Sequence, residues 1–289
     1  MHLLLMALAL MGGWLLRWKS APIQGNGAMR WQFALSRLIL PPLLLLTTSI
    51  AVLWMGMDGA MLGFSAGWIG CHLAKAILAF ALLTLLIWAG QGWRSSRQVK
   101  QYPCETVAQS KNQSEKLAHT SAHLLDTEIP FAAQVGFWRS KLVISRGLLN
   151  QLNDEQLEAV LTHEEAHAYY RDTFWFFWLG WLGHLTFWLP QTETLWQELL
   201  LLRELRADAW AAKKVDAIVV AESLLQIVQN SQISLTATQA GFNSDLTPTR
   251  LEERIDALLD PLESIGEPGR SWVWLGVGLL PLLTLPLHG

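Results

Sequence analysis

His163-Glu164-Glu165-Ala166-His167 is the segment of this chain best suited to chemistry. Residues four apart on a helix are separated by about 40° around its axis, so His163 and His167 can offer imidazole nitrogens to one ion. Glu164 projects beside them, placed to take a proton from a water molecule without being a ligand itself. Zinc suits the pair, because a catalytic zinc site takes three protein ligands and keeps one position open. A pentad of this pattern arises by chance in roughly one chain in a hundred of such composition, and a single helical histidine is ordinarily a hydrogen-bonded surface residue. A third ligand therefore carries weight. Residues 200–213 read LLLRELRADAWAAK, a second strong helix on which Glu204 and Asp208 repeat the one-turn spacing. Glu204 can complete a His2Glu set while Asp208 accepts a hydrogen bond from a ligand imidazole and fixes its tautomer. Alone, the two acids would read as surface ion pairs with Arg203 and Arg206; together with the pentad they favour the metal.

The elements that must position these side chains are legible in part. Asn153 is suited to cap a helix, with Asp154 and Glu155 in the first turn favoured by its dipole, and the helical spacing continues from Leu157 through Ala166. Upstream, residues 128–145 read EIPFAAQVGFWRSKLVIS, which predicts two short strands around Gly136, a hairpin with a free edge. Such an edge is either purely structural or holds an extended peptide by strand addition. Residues 94–121 are polar and poor in aliphatics, as a linker would be.

The composition sets these elements against a membrane. Of 289 residues 52% are apolar and only 16% charged, with a net charge of -3. That excludes a disordered chain and leaves no electrostatic case for direct nucleic-acid binding. The two cysteines, Cys71 and Cys104, exclude a disulfide framework and a cysteine-rich metal cluster. Apolar runs at residues 2–16, 38–57, 63–89 and 272–287 predict about four transmembrane helices, since about twenty residues cross a ~30 Å core. Pro41-Pro42 is expected in the first turn of the second span. Arg17, Lys19, Arg30 and Arg37 between the first two spans, and Arg94, Arg97 and Lys100 after the third, place both flanks in the cytoplasm. The expected layout is a membrane domain over 1–93, a linker over 94–122, a cytoplasmic metallopeptidase domain over 123–270 and a last transmembrane helix over 271–289. His72 and Lys75 interrupt the third span, the lysine snorkelling toward the outer surface.

A further apolar segment, residues 174–190, lies between the two metal helices. Crossing the bilayer there would strand Gln191 on the far side, with Glu204 only thirteen residues later to return over ~20 Å of helix. A re-entrant or interfacial hairpin, bent at Gly180 and Gly183 and anchored by its tryptophans, is the consistent reading, with the active site at the inner membrane surface. The fold class is thus a mainly α membrane protein carrying a cytoplasmic α+β zinc metallopeptidase domain.

Residues 142–172, LVISRGLLNQLNDEQLEAVLTHEEAHAYYRD, followed by Glu204-Leu205-Arg206-Ala207-Asp208, resemble the membrane zinc metallopeptidases of the gluzincin type. Two branches fit: the beta-lactam antirepressor (sensor-transducer) family, and the heat-shock membrane protease and prenyl-protein protease family. The resemblance implies His163, His167 and Glu204 as zinc ligands and Glu164 as general base. Asp172 also matches a family position, but on a continuous helix it points away from the metal and reads as structural. Three spans before the catalytic domain and one after it look like the antirepressor branch, whose members cut a cytoplasmic winged-helix repressor. The chain ends two residues after its last apolar run, so the external penicillin-binding sensor domain of that branch is expected to be absent. Thr247-Pro248-Thr249 with Arg254-Ile255 resembles an element of the other branch.

These readings predict a zinc endopeptidase of the bacterial inner membrane, multi-pass and compatible with a homodimer, that inactivates a repressor. Quality control of membrane proteins and a non-catalytic zinc-containing receptor are the competing functions. Glu164 argues against the receptor, since a structural zinc site needs no proton acceptor. For the inducing signal, Met55, Met57, Met61, Cys71 and His72 are the candidate sensing residues, because thioether, thiolate and imidazole together select Cu(I).

Overall fold

The computed structural model describes residues 2–18, 26–56, 60–61, 64–65, 68–106, 120–235, 248–260 and 273–287. The chain divides into two units: residues 1–89, 178–199 and 266–289 form the first, and residues 90–177 and 200–265 the second.

The first unit is helical. It contains α1 (His2–Trp18), α2 (Gly27–Met55), most of α3 (Trp68–Val99), α10 (Val273–Leu279) and the 3-10 helix Leu280–Leu287, with a two-residue ribbon of β1 (Ala60–Met61) and β2 (Phe64–Ser65). Among the described residues α2 and α3 are long and apolar enough to cross a membrane. Their surroundings differ: 61% of the most apolar stretch of α2 is buried inside the protein, against 17% for α3. Leu82, Leu83, Leu86 and Ile87 of α3 are exposed, the face an apolar solvent would cover. The two remaining expected spans are shorter helices here: α1 has 17 residues, and α10 gives way to the 3-10 helix after 7.

Pro41 and Pro42 lie inside α2, not in a first turn, because Asn26 caps the helix by accepting from Met29 N and so starts it far upstream. Each proline lacks the N–H that would bond the carbonyl four residues earlier, which strands Arg37 O and Leu38 O in the middle of a helix. Arg17 supplies the missing donors. Its Nε lies 3.0 Å from Arg37 O and its Nη2 3.0 Å from Leu38 O, and the remaining N–H groups reach Thr186 and Thr192. The guanidinium is fully buried and its hydrogen bonds go to carbonyls and hydroxyls. Arg17→Met keeps the aliphatic stem and removes every donor, so it should lower the thermal midpoint in detergent, at about 1–3 kcal/mol per stranded carbonyl. Adding Pro41→Ala and Pro42→Ala to that variant restores two backbone donors and should recover part of the loss; absence of any recovery would refute this account of the arginine.

The second unit is α+β. Its sheet has the order β3-β4-β6-β5, built from β3 (Cys104–Thr106), β4 (Ser121–Leu125), β5 (Ala132–Val135) and β6 (Lys141–Ser145). β5 and β6 form the expected antiparallel hairpin, turning at Gly136 with φ 135°, and β5 is an edge strand. β4 joins β6 in parallel, and β3 flanks β4. Part of the stretch read as linker is therefore structured: α3 runs on to Val99, and residues 104–106 pair with β4. The polarity of residues 100–104 reflects exposure, not absence of structure. Residues 107–119 lie outside the described residues.

Behind the hairpin come α4 (Arg146–Gln151), α5 (Asp154–Tyr169), α6 (Asp172–Leu185), α7 (Thr192–Ala211), α8 (Ala217–Leu235) and α9 (Pro248–Leu259). Asn153 begins α5 with a complete capping box, its side chain accepting from Gln156 N while Gln156 Oε1 accepts from Asn153 N. Leu157, Val160 and Leu161 pack the inner face of α5 on Ile144 and Leu148, while Ala159 meets Val220 and Leu258. Burying each large aliphatic contributes about 1.5–3 kcal/mol, which holds α5 against both the sheet and α8.

The apolar segment 174–190 is not bent at its glycines. α6 passes through Gly180 and Gly183 as one helix, and the reversal falls at residues 186–191, closed by Gln191 at φ 60°. Gly180 serves contact instead: a Cβ there would come within 2.8 Å of the Trp88 ring. The segment 178–199 groups with the first unit.

Candidate metal centre

One turn of α5 carries His163 and His167, and α7 brings Glu204 to them. His163 Nε2 and His167 Nε2 are 3.0 Å apart, and Glu204 oxygens lie 3.3 Å from the first and 3.7 Å from the second. Ligands bound at 2.0–2.1 Å around a tetrahedral ion stand ~3.4 Å from one another, so the three groups are spaced for a single ion. They are the one group of three or more histidine, cysteine and acidic side chains spaced for a metal ion among the described residues.

Each imidazole is held from behind by its own acid and base. His163 Nδ1 lies 2.8 Å from Asp208 Oδ1, and Asp208 in turn accepts from Arg254 Nε and Nη2 at 2.7 and 2.8 Å. His167 Nδ1 lies 2.7 Å from Asp172 Oδ2, whose other oxygen accepts from Arg206. Both Nε2 atoms are thereby turned toward Glu204. Arg203 donates to Glu204 Oε1 at 2.7 and 2.9 Å and lies over the Phe176 ring.

Asp172 is where the sequence reading fails. The helix is not continuous: α5 ends at Tyr169, Arg171 takes the left-handed conformation at φ 54°, and α6 starts at Asp172. That break swings the carboxylate back onto His167. Asp172-Thr173 just ahead of an apolar run carries the signal of a helix start, which would have revealed it. Arg206 pairs with Asp172, and Arg254 pairs with Asp208, partnerships that no local spacing announces.

Burial alone would push the His163 imidazole down, yet its contacts with Asp208 and Glu204 prevail and raise it to about 10. His167 is raised as well, burial being outweighed by Asp172 and Glu204. Glu204 is held well below the usual carboxylate range: burial opposes this, but Arg203, the two histidines and Arg254 dominate. Glu164 behaves differently. It is raised, chiefly by burial, and its Oε2 is a buried oxygen with no hydrogen-bond partner among the described residues. An unpaired carboxylate beside a ligand cluster is ready to accept a proton.

Glu164, His163 and Glu204 line a cleft of about 220 Å³. One wall is Pro130, Phe131 and Ala132 at the start of edge strand β5, and Arg254 and α8 residues form another. The family model described as BlaR1 peptidase M56 matches residues 58–258, a stretch that holds the whole centre. The chain belongs to the M56 peptidase family. No curated protein and no solved structure matches it significantly. Membership makes the chain a membrane-associated metallopeptidase, and the His163, His167 and Glu204 cluster is where this M56 domain can hold its metal.

The candidate sensing residues belong to the first unit. Cys71 and Met55 are buried in the first unit, whereas His72 is exposed, its Nδ1 2.9 Å from Trp68 O one turn back. Met57 and the side chain of Met61 lie outside the described residues.

Proposed function

We propose that this M56 domain is a zinc endopeptidase that cleaves a cytoplasmic winged-helix repressor and so releases the genes it silences, in response to a signal such as copper. The observation that carries the reading is the convergence of His163, His167 and Glu204 beside the unpaired Glu164 carboxylate in a cleft bordered by an edge strand. Zinc bound by the three would polarise the scissile carbonyl and lower the pKa of water to about 7. Glu164 takes the proton of the attacking water and delivers it to the leaving amine. Asp208 and Asp172 hold the histidines with Nε2 facing the ion, and Arg254 and Arg206 hold those acids in place. The β5 edge binds substrate in extended form, its free backbone groups fixing the peptide across the cleft.

We read the protein as a multi-pass protein of the bacterial inner membrane with four spans and the cleft on the cytoplasmic side; α2 and α3, long and apolar enough to cross a membrane, support the reading. Degradation of damaged membrane proteins is the rival reading, and cells separate the two. On induction, repressor levels should fall in cells carrying the intact protein and stay high with Glu164→Gln. Equal loss of repressor in both strains would remove the repressor as substrate.

A further inference from the structure

Cys71 and His2 meet in a buried cluster of the first unit to which three helices contribute. Cys71 Sγ on α3 lies 3.7 Å from His2 Nδ1 on α1 and 3.6 Å from Gly56 O just beyond α2. Met6, one turn after His2, and Met55, the last residue of α2, belong to the same packed cluster as Cys71. All four are buried, His2 at 1% exposure and Cys71 at 2%. The approach of α1 to α3 depends on residue 70 being glycine, since a Cβ there would stand 2.5 Å from His2 Cβ. An imidazole placed so deliberately in an apolar cluster is costly as packing material, where a leucine would serve better.

We propose that His2 and Cys71, supplemented by Met6 and Met55, form a binding site for Cu(I). Two ligands of one ion with bonds of 2.0–2.3 Å stand ~3.4–3.8 Å apart, which matches the nitrogen–sulfur separation. Thiolate and thioether sulfur with one imidazole select Cu(I). The ligand set differs from the one expected in the outer turn: His2 takes the place of His72, and Met6 joins from α1. An ion there ties α1, α2 and α3 together at one point. That it thereby reports copper to the protease rests on the proposed function; capture of the ion does not.

The test uses full-length, zinc-loaded protein in detergent with exposed Cys104 replaced by serine, titrated with Cu(I) under reducing conditions against the chelator bicinchoninate. One ion per chain should be retained. Cys71→Ser and His2→Ala should each weaken capture by on the order of 100-fold, and Met57→Leu with Met61→Leu should leave it unchanged. Retention of copper in either the Cys71 or the His2 variant would overturn the site. X-ray absorption of the copper-loaded parent needs no further variant: a shell with both nitrogen and sulfur supports the pair, and a shell lacking either refutes it. The titration repeated on Glu164→Gln should give the same stoichiometry, so failure of the protease reading and failure of the copper site are read separately.

Discussion

Glu164→Gln should leave one zinc bound per chain while cleavage of a protein substrate falls by about 10²–10⁴-fold, the usual worth of a positioned general base. Glutamine has the shape of glutamate, so the substitution changes charge and basicity and little else. The carboxylate is buried, and its Oε2 makes no hydrogen bond among the described residues that an amide would break. His163→Ala is the contrasting case. It removes a ligand and leaves Asp208 and Glu204 facing a hole, so zinc and activity should disappear together. Metal analysis beside the cleavage assay decides the matter: full zinc in His163→Ala would refute the ligand assignment, and full activity in Glu164→Gln the base.

Much of this centre was legible because helical periodicity is a local property. His163 with His167, and Glu204 with Asp208, are each one turn apart, so each pair could be placed on a face without knowing the fold. The capped start of α5 at Asn153 and the hairpin around Gly136 were readable for the same reason, since caps and turns are written in a few adjacent residues. The failures are instructive in the same terms. Asp172 was assigned to the wrong side because one left-handed residue, Arg171, ends a helix that composition alone would extend. Arg254 lies 46 residues from Asp208 and Arg206 lies 34 from Asp172, and no periodicity links partners at that separation. Strand β4 escaped notice because it pairs in parallel with β6 across an intervening loop and strand, a tertiary fact. The prolines of α2 were misplaced because their cost is met by Arg17 from another helix.

Zinc affinity should fall steeply with acidification, because the geometry that prepares the site for metal also prepares it for protons. A histidine binds zinc as the neutral imidazole, so a proton on its Nε2 must leave before the metal enters. Against the pull of burial, Asp208 and Glu204 raise His163 to about 10 in the metal-free protein, and Asp172 and Glu204 raise His167. At neutral pH the His163 imidazole is therefore largely protonated before metal arrives, and His167 is shifted in the same direction. The sign follows: below these pKa values each proton displaced costs about tenfold in affinity per pH unit, and above them the dependence flattens. With two histidines the apparent affinity should rise about 10–100-fold per unit between pH 6 and 8, with protons released on binding. Competition against a zinc indicator at pH 6, 7 and 8 measures the slope, and calorimetry in buffers of different ionisation enthalpy counts the protons. Asp172→Asn withdraws the charge that raises His167, so its slope should be shallower than that of the parent, even though its affinity at pH 8 is lower by the roughly 10–100-fold expected for losing an orienting carboxylate. An affinity that does not change with pH would mean that the imidazoles are neutral before zinc arrives, and that the two aspartates serve only to orient them.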